Sequence, residues 1–148
     1  IALFPYVLFS VFVLWGSPYE LYFFSTIAIA SWTAAFTWYI MPAGIVRHRD
    51  IGLHFLSRMI VWIYEHDNDN NTFPSSHVFY ALISSYFLWL VYPLYLPVFI
   101  VIGGLISVST VFVKQHHVAD IVGGIIWAIS SIIIARILVG WVQLNMLL

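Results

Sequence analysis

The sequence contains no cysteine, which removes disulfides and thiolate metal sites from consideration and leaves the redox compartment unread. Charge is almost as scarce. Only 7% of residues are Asp, Glu, Lys or Arg, where a soluble domain carries about a quarter. The net charge of −1 gives no support for binding nucleic acid. What replaces the charge is hydrophobic: 63% of the 148 residues are apolar, 19% are aromatic, and the mean hydropathy is +1.00. Such a chain is built for lipid, and its Trp and Tyr suit the belts at membrane interfaces. There is no repeat, no low-complexity tract and no recognisable signal peptide. The chain opens within an apolar run without an initiator Met, so residues 1–148 are expected to be one membrane domain lacking some sequence upstream.

Apolar runs and their breakers predict an all-α, polytopic transmembrane bundle of about five spans. Residues 1–15 form the tail of a first span, and Gly16-Ser17-Pro18 a turn. Residues 19–41 are long enough to cross, with Pro42 stopping them. Residues 51–64 are too short to cross. Asp50, His54, Ser57 and Arg58 recur on one helical face there, which predicts a helix lying in the interface. Residues 65–72 are polar. Their Asp67-Asn68-Asp69-Asn70-Asn71 resembles a calcium loop only faintly, since it lacks the glycine and final glutamate, and is read as solvated. Residues 76–92 and 98–113 form a helical hairpin broken by Pro93 and Pro97, each arm short for a span. The last span covers residues 121–142, with Arg136 near its far end positioned to snorkel to headgroups. Gly103-Gly104 and Gly123-Gly124 are expected to let helices approach closely.

This topology gathers the ionisable groups on one face. All six His, four of the five Lys and Arg, and five of the six Asp and Glu lie between Arg47 and Asp120, with only Glu20 and Arg136 outside. Ionisable groups at the ends of apolar segments are costly and call for a reason. Two stretches stand out: Pro74-Ser75-Ser76-His77 and Ser109-Thr110-Val111-Phe112-Val113-Lys114-Gln115-His116-His117-Val118-Ala119-Asp120. His116 and Asp120 are four apart, on one face if that stretch is helical, so the carboxylate holds one imidazole nitrogen and leaves the other to act. Ser75 or Ser76 serves as N-cap of the helix that follows, whose free N–H groups form an anion site. Arg47 and Lys114 add positive charge. His116 is thus the candidate nucleophile and His77 the candidate general acid, for phosphoryl transfer without a metal or cofactor. His48, His54 and His117 are read as interfacial, and Arg49 and Arg58 as meeting lipid headgroups.

The chain resembles the type-2 phosphatidic-acid phosphatase superfamily, whose relatives include vanadium haloperoxidases and some sphingolipid phosphotransferases. The family's Pro-Ser-Gly-His motif stands here as Pro74-Ser75-Ser76-His77, and its Ser-Arg-x5-His-x3-Asp motif as Ser109-Thr110, five residues, His116, three residues, Asp120. Of its Lys-x6-Arg-Pro motif only Arg47 remains, with Ile40 and His48 replacing the Lys and Pro. The spacing from Pro42 to Arg47, and Thr110 after the serine, are similar to the inositol-phosphorylceramide-synthase branch. The resemblance covers residues 20–142 and implies a six-helix membrane core. It also implies a phosphohistidine on His116, oriented by Asp120, with His77 protonating the departing alcohol. Arg47 and the backbone of Ser75 and Ser76 would hold the phosphate. Thr110 occupies the place of a phosphate-binding Arg, and Lys114, one helical turn on, is the expected substitute.

The reading is a multi-pass integral-membrane phosphatase acting on a lipid phosphomonoester or pyrophosphate, with membrane lipids as its surroundings. Two alternatives stay open. One is a phosphotransferase passing the headgroup to a lipid alcohol. The other is a metal-binding membrane protein using His66, Asp67, Asp69, His77, His116 and Asp120.

Overall fold

The computed structural model describes residues 2–44, 54–66, 71–113 and 116–146. Among these residues there are six α-helices and no strand: α1 (Leu3–Leu14), α2 (Glu20–Ile40), α3 (Phe55–His66), α4 (Ser76–Val91), α5 (Leu96–Phe112) and α6 (Val118–Met146). The expected all-α bundle is what the chain forms.

Helices α1, α2 and α4 end where local chemistry forbids continuation. After α1, Gly16 takes a φ of +73°, a left-handed conformation open to glycine, and Ser17 N–H closes the turn on the Leu14 carbonyl at 3.0 Å. Met41 precedes Pro42, and Tyr92 precedes Pro93. Both have left the helical region, with φ, ψ of −129°, 69° and −126°, 74°, because a following proline disfavours it. A 3-10 turn, Pro93–Tyr95, then leads into α5, which tolerates Pro97 in its first turn. Inside the helices, Thr26, Ser31, Thr33 and Thr37 each donate to the carbonyl four residues earlier. In an apolar environment a hydroxyl must find such an internal acceptor.

Helix α4 is the hub, packing against α1, α2, α5 and α6. One of its faces buries Phe79, Ile83 and Phe87 with Phe23 of α2 and Ala128 of α6. Another buries Ala81 and Leu88 with Leu3 and Tyr6 of α1 and Phe99 and Ile106 of α5. Polar ties cross the same interfaces. Tyr6 Oη lies 2.8 Å from Ser85 Oγ, which donates to the Phe99 carbonyl at 3.0 Å. Ser31 Oγ meets Tyr80 Oη at 2.7 Å, and Trp127 Nε1 donates to Thr33 Oγ1 at 2.9 Å. Each such bond contributes about 0.6 kcal/mol within a membrane bundle. The outward surface stays apolar, with Leu105 and Ile137 about two-thirds exposed, as lipid-facing helices require.

Among the described residues, three helices are long and apolar enough to cross a membrane: Glu20–Ile40, Pro93–Phe112 and Val118–Met146. Leu3–Leu14 and Ser76–Val91 are apolar but shorter, so by length three of the five expected spans qualify. The hairpin's second arm gains the turn at Pro93, which lengthens it to a full span. Helix α3 forms as expected, with its start at Phe55 and with His54 and Arg58 exposed. Asp50 and the Asp67–Asn70 part of the polar loop lie outside the described residues.

Candidate active site

The corner where α4 begins, α5 ends and α6 begins is assembled by main-chain bonds. Helix α5 stops at Phe112, with Val113 N–H bonded back to Ser109. His116 then sits in a turn, its N–H donating to the Thr110 carbonyl at 3.3 Å. Helix α6 opens two residues later. There Asp120, in the first turn, reaches back so that Oδ2 accepts the His117 N–H at 2.8 Å, the return arm of a capping box. The same oxygen lies 3.5 Å from His116 Nδ1, and both side chains are nine-tenths buried. His116 and Asp120 are therefore adjacent, with His116 just before α6 and Asp120 in the first turn of that helix. A separation of 3.5 Å is long for a hydrogen bond, and catalytic contacts commonly shorten when substrate binds.

Helix α4 delivers the second histidine. Ser75 N–H donates to the Asp120 carbonyl at 3.2 Å, joining the two motif segments directly. The rings of His77 and His116 then lie 5.6 Å apart, centroid to centroid, at 65°. The close approach depends on α6 carrying glycine here. A Cβ on Gly124 would stand 2.9 Å from the Ser75 carbonyl oxygen and 2.7 Å from Val78 Cβ, and one on Gly123 would strike the Phe73 ring. Gly103 is likewise closed in by Ser85, whereas Gly104 has nothing within 4 Å. Gly104 thus corrects the expectation that both members of each pair lie at an interface.

Ser75 is the N-cap residue of α4, but its side chain makes no capping bond. Its hydroxyl is buried, without a hydrogen-bond partner among the described residues. Its N–H is already committed to Asp120, so the first-turn donors without a helical acceptor include those of Ser76 and Val78. Ser76 itself is part-exposed.

Arg47 and Lys114 lie outside the described residues. Of the segment before Arg47, Ala43 is anchored, because Thr72 donates both its N–H (3.0 Å) and its hydroxyl (3.2 Å) to the Ala43 carbonyl. The Pro42-Ala43-Gly44 segment is thereby held beside the Pro74–His77 segment. The i, i+4 relation expected between Thr110 and Lys114 lies outside the described residues at Lys114, and α5 ends at Phe112. Thr110 is buried, and its hydroxyl donates to the Ser107 carbonyl at 2.7 Å.

Two contributors escaped the sequence. Tyr64 Oη donates to the Val113 carbonyl at 2.9 Å, fastening α3 to the end of α5, and Thr72 fastens residue 43. Neither carries a sequence signal, since each acts on a backbone carbonyl distant in the chain. The capping role of Asp120 was legible in principle, as an acid three residues into a helix. For the metal-binding alternative, no group of three or more His, Asp and Glu gathers among the described residues. Asp67 and Asp69 lie outside them.

The end of this apolar helical bundle thus brings together the part-exposed His77 and the buried His116 and Asp120. A family model described as the PAP2 superfamily matches residues 22–144, and the chain belongs to that superfamily. At the level of the family it is a phosphatase-type membrane enzyme, catalysing phosphoryl transfer. Comparison with curated proteins and with solved structures found no match.

Proposed function

We propose that the chain is an integral-membrane lipid phosphate phosphatase working through a phosphohistidine. The observation that carries this reading is the meeting of His77 and His116 at 5.6 Å, with Asp120 at 3.5 Å from His116 Nδ1. Asp120 keeps the proton on Nδ1, which leaves Nε2 to attack phosphorus. As the N–P bond forms, the P–O bond to the lipid alcohol breaks, and His77 gives its proton to the departing oxygen. His77, now neutral, takes a proton from water. That water attacks the phosphohistidine, the P–N bond breaks, and inorganic phosphate leaves with His116 restored.

The equatorial oxygens need positive charge in the transition state. Arg47, Lys114, the N–H of Ser76 and the buried hydroxyl of Ser75 are the groups assigned to supply it. The amphipathic helix α3 is tied by Tyr64 to the end of α5, and its Phe55, Arg58, Met59 and Trp62 line a shallow surface pocket. A cation among aromatics there suits an approaching phospholipid headgroup.

The test is phosphate release by the purified chain from a panel of lipid monophosphates and pyrophosphates in detergent, with EDTA present. Release that persists in EDTA supports the reading, and activity that collapses with chelation and returns with a divalent ion overturns it. Thr110 and the Pro42–Arg47 spacing favour a second reading, transfer to a lipid alcohol. Adding that alcohol to the same assay separates the two: a transferase forms a new phospholipid in place of free phosphate.

A further inference from the structure

Arg136 is the one cation among the described residues of α1, α2, α4, α5 and α6, and the chemistry above makes no use of it. It lies sixteen residues beyond Asp120 on α6, which places it about 24 Å along the axis from the catalytic corner. It is therefore close to the opposite face. Its guanidinium sits over the Tyr86 ring at 5.6 Å from the centroid, and among the described residues no carboxylate pairs with it. The nearby acid, Glu20, is turned to the Gly16 N–H at 2.9 Å. Beside Arg136 opens a cavity of about 330 Å³ between α2, α4 and α6, lined by Tyr19, Tyr22, Phe87, Leu90 and Arg136. Tyr22 Oη already donates to Gln143 Oε1 at 2.9 Å, whereas Tyr19 makes no side-chain hydrogen bond among the described residues.

We infer that this cavity is a second lipid site, which holds the phosphate group of a phospholipid from the leaflet opposite the catalytic face. An intramembrane cation without an acid partner calls for a ligand, and a guanidinium fits the paired oxygens of a phosphate. Tyr19 supplies a further donor, and Phe87 with Leu90 forms the apolar wall that a glycerol backbone and acyl chain require. General headgroup snorkelling needs no cavity. Here the guanidinium of the exposed Arg136 lies over the Tyr86 ring at the rim of one. The inference is independent of the reaction proposed above.

The experiment measures the Tm of the purified full chain in a neutral detergent, titrated with phosphatidylcholine, with diacylglycerol, or with inorganic phosphate. Phosphatidylcholine is expected to raise the Tm by several degrees through binding to the folded state, and the other two are not. The rise should vanish in Arg136→Met, persist in part in Arg136→Lys, and vanish in Leu90→Trp, which fills the cavity while leaving the cation in place. Turnover of a soluble aryl phosphate should be unchanged in all three variants. An equal rise in Leu90→Trp overturns the site, and that variant decides if Arg136→Met does not fold. An equal rise with diacylglycerol reduces the contact to apolar packing, and an Arg136-dependent rise with inorganic phosphate makes it a free-anion site. Either result overturns the lipid assignment.

Discussion

His116 stands in a turn whose backbone is held by Thr110, so replacing its side chain leaves the chain path intact. His116→Ala is expected to lower kcat by roughly ten-thousandfold or more, as loss of a nucleophile does, with the Tm little changed. His77→Ala is graded by leaving group: severe on a lipid phosphate, mild on an activated aryl phosphate that departs without a proton. Equal losses on both substrates would remove His77 from the acid role. Asp120 has two tasks, and two substitutions separate them. Asp120→Asn keeps an oxygen for the His117 N–H but surrenders the charge beside His116. It should lower kcat by roughly a hundredfold to ten-thousandfold and hold stability. Asp120→Ala also loses the cap, which costs about 0.5–2 kcal/mol, and should unfold at lower urea. If both variants have the same Tm, the cap contributes nothing measurable.

Among the elements, the contact of α6 with the start of α4 decides the geometry. Gly124→Ala would push a methyl to within 2.9 Å of the Ser75 carbonyl oxygen, costing about 1–3 kcal/mol as overpacking does. It should also lower kcat by separating His77 from His116. Gly104→Ala, with open space around it, is the control and should leave both properties unchanged. The helices themselves were legible because prolines and glycines punctuate apolar runs: Pro42, Pro93 and Gly16 mark real ends. The motif residues His77, His116 and Asp120 were legible from spacing, and the structure brings them together. What could not be read was that α6 begins between His116 and Asp120. Four-residue spacing suits a helix interior and a helix start equally, and only the main-chain bonds of Thr110 and His117 distinguish them. Tyr64 was hidden for a similar reason, since its acceptor is a carbonyl that any residue possesses.

At the scale of the molecule, charge is divided between two ends of an apolar bundle. The end proposed as catalytic gathers His77, His116, Asp120 and helix α3, and the far end holds Arg136 with its cavity. Orthovanadate, which takes the five-coordinate shape of the transferring phosphorus, should inhibit competitively at the first end. Its inhibition constant should be the same in wild type and in Leu90→Trp. A changed constant in that variant would mean that the two ends communicate through α4.

The bond from Ser75 N–H to the Asp120 carbonyl involves no side chain, so no substitution at either position, short of proline at Ser75, deletes it. Chemically silenced variants therefore inherit an intact cradle. His116→Ala should still load its lipid and then be unable to release it as product, which turns a dead enzyme into bait. Incubated with a total lipid extract, washed, and stripped for mass spectrometry, it should be enriched in the phosphorylated lipid that the living enzyme consumes.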